Sequence, residues 1–248
     1  MECRLPCRSA LGRDAFAPAT STSQEHRARG RSYNGGPRLA RTTFVDSFLF
    51  SWQRAWTGIG AAGEGNALFA QLMAAYAEAQ RHYHTQQHLG ECLSAFDGVR
   101  ALAERPDEVE LALWFHDAIY DIKGHHNEQR SADWARDALR AAGVAAEAAQ
   151  RVHGLVMATR HTAVPTGRDE QLLVDIDLSI LGAQRARFDE YEQQIRKEYA
   201  YVPGFLFRRK RREILKGFLD RPAIYSTPHF HDRLEARARD NLRRATAA

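Results

Sequence analysis

The spacing of the apolar residues constrains this chain more than any other feature. Phe48, Trp52 and Trp56 recur at every fourth position, and Leu68, Leu72 and Tyr76 repeat the pattern. That period puts each set on one face of an α-helix, and the two-residue alternation of a half-buried strand is absent throughout. The sequence therefore predicts an all-α fold, a compact multi-helix bundle. Further helices are expected over about 84–99, from Pro106 onward, and over 128–142, 145–160, 170–181, 185–201, 205–219 and 231–244. Pro106 suits a first helical position, and the acids at 107, 108 and 110 suit the positive end of the helix dipole. Gly143, Pro165, Gly182 and Pro203 separate the segments. On the helix after Pro106 the inward stripe is expected to be Val109, Leu113, His116 and Tyr120.

The first forty residues read differently. They are rich in Ser, Thr, Gly, Pro and Arg without apolar periodicity, and cannot bury enough surface to offset chain entropy. The reading is a disordered basic extension over 1–42 and one helical domain over 43–248. The extension resembles a transit peptide in its arginine content but has no apolar core of a signal peptide. Charge follows the same division. Up to Arg41 eight arginines face three acids, so this stretch carries +5 of a total of +4 and the rest of the chain −1. A nucleic-acid partner for the body is therefore not expected. Mean hydropathy is −0.52, and no apolar run approaches the roughly 18 residues of a membrane helix. Cys3, Cys7 and Cys92 are odd in number and lack the spacing of a metal knuckle, so reduced thiols and a cytoplasmic setting are expected.

Three clusters could carry chemistry. The first is 81–88, where His84 and His88 stand four apart and would share a helix face. The second, 113–121, sets His116 beside Asp117 at the end of an apolar segment, where a buried carboxylate needs a partner. A divalent cation would serve both residues, and a buried His–Asp hydrogen bond is the plainer alternative. The third, 172–182, is apolar all round except for Asp175, Asp177 and Ser179. Asp177 shares a face with Leu173, Ile180 and Leu181 and is the favoured ligand, whereas Asp175 could cap a neighbouring element.

Taken in order, these motifs resemble the HD superfamily of metal-dependent phosphohydrolases. More narrowly, Arg81-x-Tyr83-His84-x-x-x-His88, Trp114-Phe115-His116-Asp117-Ala118-x-Tyr120-Asp121, Asn127-Glu128-x-x-Ser131-Ala132 and Asp175-x-Asp177-Leu178-x-Ile180-Leu181-Gly182 are similar to one bacterial group of predicted HD phosphohydrolases. The likeness continues through Ile195-Arg196-x-Glu198-Tyr199 and Glu235-x-x-Ala238-Arg239, covering about Phe48 to Leu242. It implies an all-helical HD-domain bundle and a metal held by His88, His116, Asp117 and Asp177. The ion could be Mn, Fe, Co, Ni, Zn or Mg, and the substrate a phosphate ester of a nucleotide or related small molecule.

In the expected mechanism the ion polarises the phosphoryl group and acidifies a water that attacks phosphorus in line, with Asp117 or Glu128 taking a proton. Arg81, with its forked guanidinium, is a candidate phosphate clamp and catalytic group. Asp121 is a further catalytic candidate. It stands where alarmone hydrolases of the superfamily carry an acidic pair, but here the first of the pair is Tyr120, which argues against that substrate. His84, Lys123, His125 and Arg209 are candidate substrate contacts, the last within the basic run 208–212. His153 and His161 could serve a second metal, but a single ion is the expectation. A phosphodiesterase or pyrophosphohydrolase on the same fold, or a non-catalytic metal-binding regulatory protein, are the alternatives.

Overall fold

A computed structural model describes the backbone of residues 38–247 and the side chains of residues 46–247. The expected extension up to residue 37, with Cys3 and Cys7, lies outside the described residues. Among those described there are ten α-helices and no strand: α1 (Arg38–Gly58), α2 (Asn66–Ala75), α3 (Gln86–Asp97), α4 (Pro106–Phe115), α5 (Asn127–Ala141), α6 (Ala146–Ala158), α7 (Arg168–Asp177), α8 (Arg185–Glu198), α9 (Gly204–Leu219) and α10 (Pro228–Ala247). None of these helices is long and apolar enough to cross a membrane. The described residues are all-helical, as the periodicity predicts.

Helix α4 is the axis of the bundle. Its residues from Glu108 to Phe115 are all buried, and α1, α3, α5, α6 and α7 pack around it. On its α1 side Trp114 meets Phe48 and Trp52 edge-on, with ring centroids 5.7 and 5.5 Å apart. The Trp114 indole N–H donates to Ser51 Oγ, which donates to the buried Glu110, and Arg54 neutralises that carboxylate. Each polar group of this Trp114–Ser51–Glu110–Arg54 relay thus has a partner, which removes the usual cost of its burial. Gly65 opens α2 with φ of 66°, and a Cβ there would come within 2.9 Å of the Trp56 ring, so the turn requires glycine on two counts.

Two helices end earlier than the periodicity predicts, and both ends lie at the candidate site. Helix α4 stops at Phe115, so His116, Asp117 and Tyr120 stand in the turn beyond it instead of on its stripe. One local and two distant side chains occupy carbonyls that another helical turn would have used. The His116 ring bonds Leu113 O, Tyr76 Oη donates to Trp114 O, and Arg81 takes the carbonyls of Asp117 and Ala118. Helix α7 gives way after Asp177 to a 3-10 turn, Leu178–Gly182, on which α10 packs.

A third boundary moves at the other side of the site. Helix α3 begins at Gln86, capped by Thr85, whose hydroxyl accepts the Gln87 N–H at 3.3 Å. His84 therefore precedes the helix and does not share a helical face with His88.

Candidate metal centre

The ends of α4 and α7 and the first turn of α3 meet at one point, and each contributes an imidazole or a carboxylate. His88 Nε2 and His116 Nε2 are 3.1 Å apart. Asp177 Oδ1 lies 3.2 Å from the first and 3.7 Å from the second. Asp117 Oδ2 lies 3.6 and 3.3 Å from the same two nitrogens. With ligand bonds of about 2.1 Å, such separations correspond to angles at a shared ion of about 95–125°. The residues named from the sequence as ligands are thus brought together at distances an ion can bridge.

Cys92 belongs to the same group. A sulfur from Cys92, a ring nitrogen from each of His88 and His116 and an oxygen of Asp177 all lie within 4.8 Å of one another, and all four residues are buried. This buried His/Cys/Asp group could hold a metal ion. Cysteine spacing alone gives Cys92 no metal signal, because no second cysteine stands near it in sequence. The usable signal was its place four residues after His88 on the buried face of Leu89, Cys92 and Phe96.

The surrounding contacts orient the group. His116 Nδ1 donates to Leu113 O at 2.7 Å, which leaves Nε2 with its lone pair toward the cluster. Asp117 N–H donates to Tyr76 Oη, pinning the turn to α2. On the far side His161 Nε2 is 3.0 Å from Asp177 Oδ2, while Asp177 Oδ1, wholly buried, has no hydrogen-bond partner. His161 adopts φ of 52° to present its ring there, strain of the kind found where surroundings over-determine a residue.

Electrostatics bind the cluster together. Burial pushes the His88 imidazolium down. It does the same for His116, but Asp117 outweighs it, helped by Asp177 and the Leu113 carbonyl, and this histidine is lifted to about 9. Burial disfavours the Asp177 carboxylate, yet the hydrogen bond from His161 and the adjoining His88 and His116 imidazoles hold it well below the usual range. Two acids at this depth demand a cation, whether proton or metal.

The remaining candidates are dispersed. Arg81 is buried, and its N–H groups go to Glu78 and to the carbonyls of His84, Asp117 and Ala118. With four of five donors committed, it is a strut between the α3 entrance and the His116–Asp117 turn and not a phosphate clamp. Asp121 is exposed, and its carboxylate accepts the Lys123 N–H, so it shapes the loop instead of facing the cluster. Lys123 and His125 are exposed on that loop, with the Lys123 ammonium 5.4 Å from the Tyr201 ring. Glu128 is buried in the first turn of α5. Arg209 is exposed on α9, where the buried member of the basic run, Arg211, is held by Glu192 and Tyr191. His153 pairs with Asp133 and Gln129. Asp175 turns away and caps the entry to α10, accepting from Ser226 N, Thr227 N and Thr227 Oγ1.

His84 is held by a residue the sequence reading did not single out. Its Nδ1 lies 2.8 Å from Glu198 Oε2, which also accepts the Tyr120 hydroxyl at 2.6 Å. Glu198 Oε1 accepts the backbone N–H groups of His82, Tyr83 and His84. The signal was an acid on the apolar face of α8 formed by Phe188, Tyr191 and Ile195. His84 Nε2 is buried without a partner, and its ring centroid is 6.1 Å from that of His88.

Comparison of the chain with models of known families, with curated proteins and with solved structures found no match. The described residues are all-helical and carry a buried group that could hold a metal ion.

Proposed function

We propose that this chain is a metal-dependent phosphohydrolase of the HD type, acting on a phosphate ester of a nucleotide or related small molecule. The observation that carries the reading is the convergence of two imidazole Nε2 atoms, 3.1 Å apart, with carboxylate oxygens of Asp117 and Asp177 within 3.7 Å of both. An ion bound by these residues would supply Lewis acidity toward a phosphoryl oxygen and a more acidic water.

The chain's own residues supply orientation and proton handling. His116 is fixed in one tautomer by Leu113 O, and Asp177 is fixed by His161. His84, aligned by Glu198, offers a second imidazole beside the cluster for a proton or a phosphate oxygen. An open groove of about 980 Å³ runs along the turn that follows Asp117, lined by Tyr120, Lys123, Arg130 and Trp134. Its two aromatic rings suit a planar compound, and its two cations, Lys123 and Arg130, are matched there by two carboxylates, Glu78 and Asp121.

No metal-cluster residue lines that groove, and His88, His116, Asp117 and Asp177 are buried. This closure favours a second reading, a non-catalytic regulatory protein with a structural ion. The test is a screen of phosphomonoesters, nucleotides and phosphodiesters with the protein loaded in turn with Mn, Fe, Co, Ni, Zn and Mg. The hydrolase reading predicts turnover that a chelator stops and the metal restores. Absence of turnover with every metal, in protein shown to hold the ion, overturns it in favour of the regulatory reading.

A further inference from the structure

The donors named from the sequence, two histidines and two aspartates, do not distinguish one divalent metal from another. The fold adds a sulfur to them. Cys92 lies one turn after His88 on α3, buried, with its Sγ 3.8 Å from His88 Nε2 and 3.7 Å from Nδ1. Lying about equally far from both ring nitrogens, the sulfur is beside the cluster but not along the Nε2 lone-pair direction, so ligation requires a turn of the Cys92 or His88 side chain. The sulfur also lies within 4.8 Å of donors from His116 and Asp177. Independently of the cysteine, Asp177 Oδ1 is a wholly buried carboxylate oxygen with no hydrogen-bond partner, and it faces the same cluster.

We propose that Cys92 is a thiolate ligand of this centre, and that the site is therefore built for a borderline transition metal of the zinc, cobalt(II) or iron(II) kind. Magnesium and calcium are excluded as its resident ions. The proposal rests on the metal-centre reading and narrows it. On binding, the S–H bond breaks, its proton passes to solvent and a sulfur–metal bond forms, so no oxidant or reductant takes part. Two neutral imidazoles with the Asp177 carboxylate and one thiolate would neutralise a divalent ion, and Asp117, the further carboxylate beside both imidazoles, adds one more negative charge. Thiolate gains little from hard oxygen-seeking ions and much from softer ones, so the sulfur shifts selectivity in a way that a third oxygen would not.

The test uses the full chain carrying Cys3→Ser and Cys7→Ser, so that Cys92 is its only thiol. The protein is stripped with a chelator and titrated with cobalt(II). The proposal predicts visible ligand-field bands and a near-ultraviolet sulfur-to-cobalt charge-transfer band that saturate together. Adding Cys92→Ser should keep the former, abolish the latter and weaken zinc binding about tenfold or more. Ligand-field bands without the charge-transfer band would overturn the sulfur ligand while leaving the metal centre intact. Absence of both would overturn the two together. X-ray absorption at the zinc edge of the unsubstituted, zinc-loaded chain does not depend on a variant folding. A sulfur shell at about 2.3 Å is expected, and a shell of nitrogen and oxygen alone would refute the assignment.

Discussion

Replacing Glu198 by Gln gives a quantitative handle on the network that holds His84. The Glu198 side chain is wholly buried. Burial alone would raise its carboxyl, but the His84 imidazole, the Tyr120 hydroxyl and the backbone N–H groups outweigh it and hold the group down to about 2, against an ordinary 4.5. A carboxyl lowered in the folded state stabilises the fold above its unfolded value and loses that contribution as pH falls toward the folded one. At about 1.4 kcal/mol for each tenfold change, the difference amounts to about 3 kcal/mol at pH 7. By pH 3 only about 1 kcal/mol of it survives. Gln keeps the shape but cannot carry the charge. Urea unfolding of wild type and variant at several pH values should therefore show a stability gap of about 3 kcal/mol at neutrality that closes as the solution is acidified. A gap of the same size at pH 7 and pH 3 would show that the variant is harmed by packing alone and that the carboxylate network contributes nothing.

Other expectations follow from the same geometry. Arg81→Lys keeps a cation but loses the fork that reaches three carbonyls. It should cost about 2–4 kcal/mol in urea unfolding and weaken metal binding, whereas a phosphate clamp would change substrate affinity and leave stability alone. His161→Gln should lower metal affinity about 10- to 100-fold in a chelator competition, because Asp177 loses the partner that orients it. An unchanged affinity would detach His161 from the site. Gly182→Ala would place a Cβ 2.7 Å from Leu234 Cβ and 2.9 Å from the Tyr225 hydroxyl. A loss of about 1–3 kcal/mol, read as a lower melting temperature, is expected there.

Much of the fold was readable because it rests on local rules. The stripes of α1 and α2 and the proline and acids opening α4 needed only neighbours in sequence. The choice of Asp177 over Asp175 was readable too, since it depended on which acid shared the apolar face of Leu173. The helix ends were not readable, because partners far along the chain set them. Arg81 reaches 36 residues to the Asp117 carbonyl and Tyr76 reaches 38 to that of Trp114. A propensity argument sees neither bond, so it extended α4 through His116 and began α3 at His84. The role of Arg81 is hidden from the sequence for the same reason. A guanidinium beside a histidine cluster suggests a phosphate site until the carbonyls that consume its donors are located. Cys92 is visible only as one polar atom on an apolar stripe and Glu198 only as a motif residue without an assigned role, and their meaning comes from what the fold sets opposite them.

The claim on which the account stands is that His88, His116, Asp117 and Asp177 share an ion. Elemental analysis of protein purified without chelators, set beside His116→Ala purified identically, tests it most directly. The account predicts a transition metal bound stoichiometrically to the first and absent from the second, with helical circular dichroism unchanged between them. Metal-free wild type that takes up no divalent ion on dialysis, or equal metal content in both proteins, would contradict it.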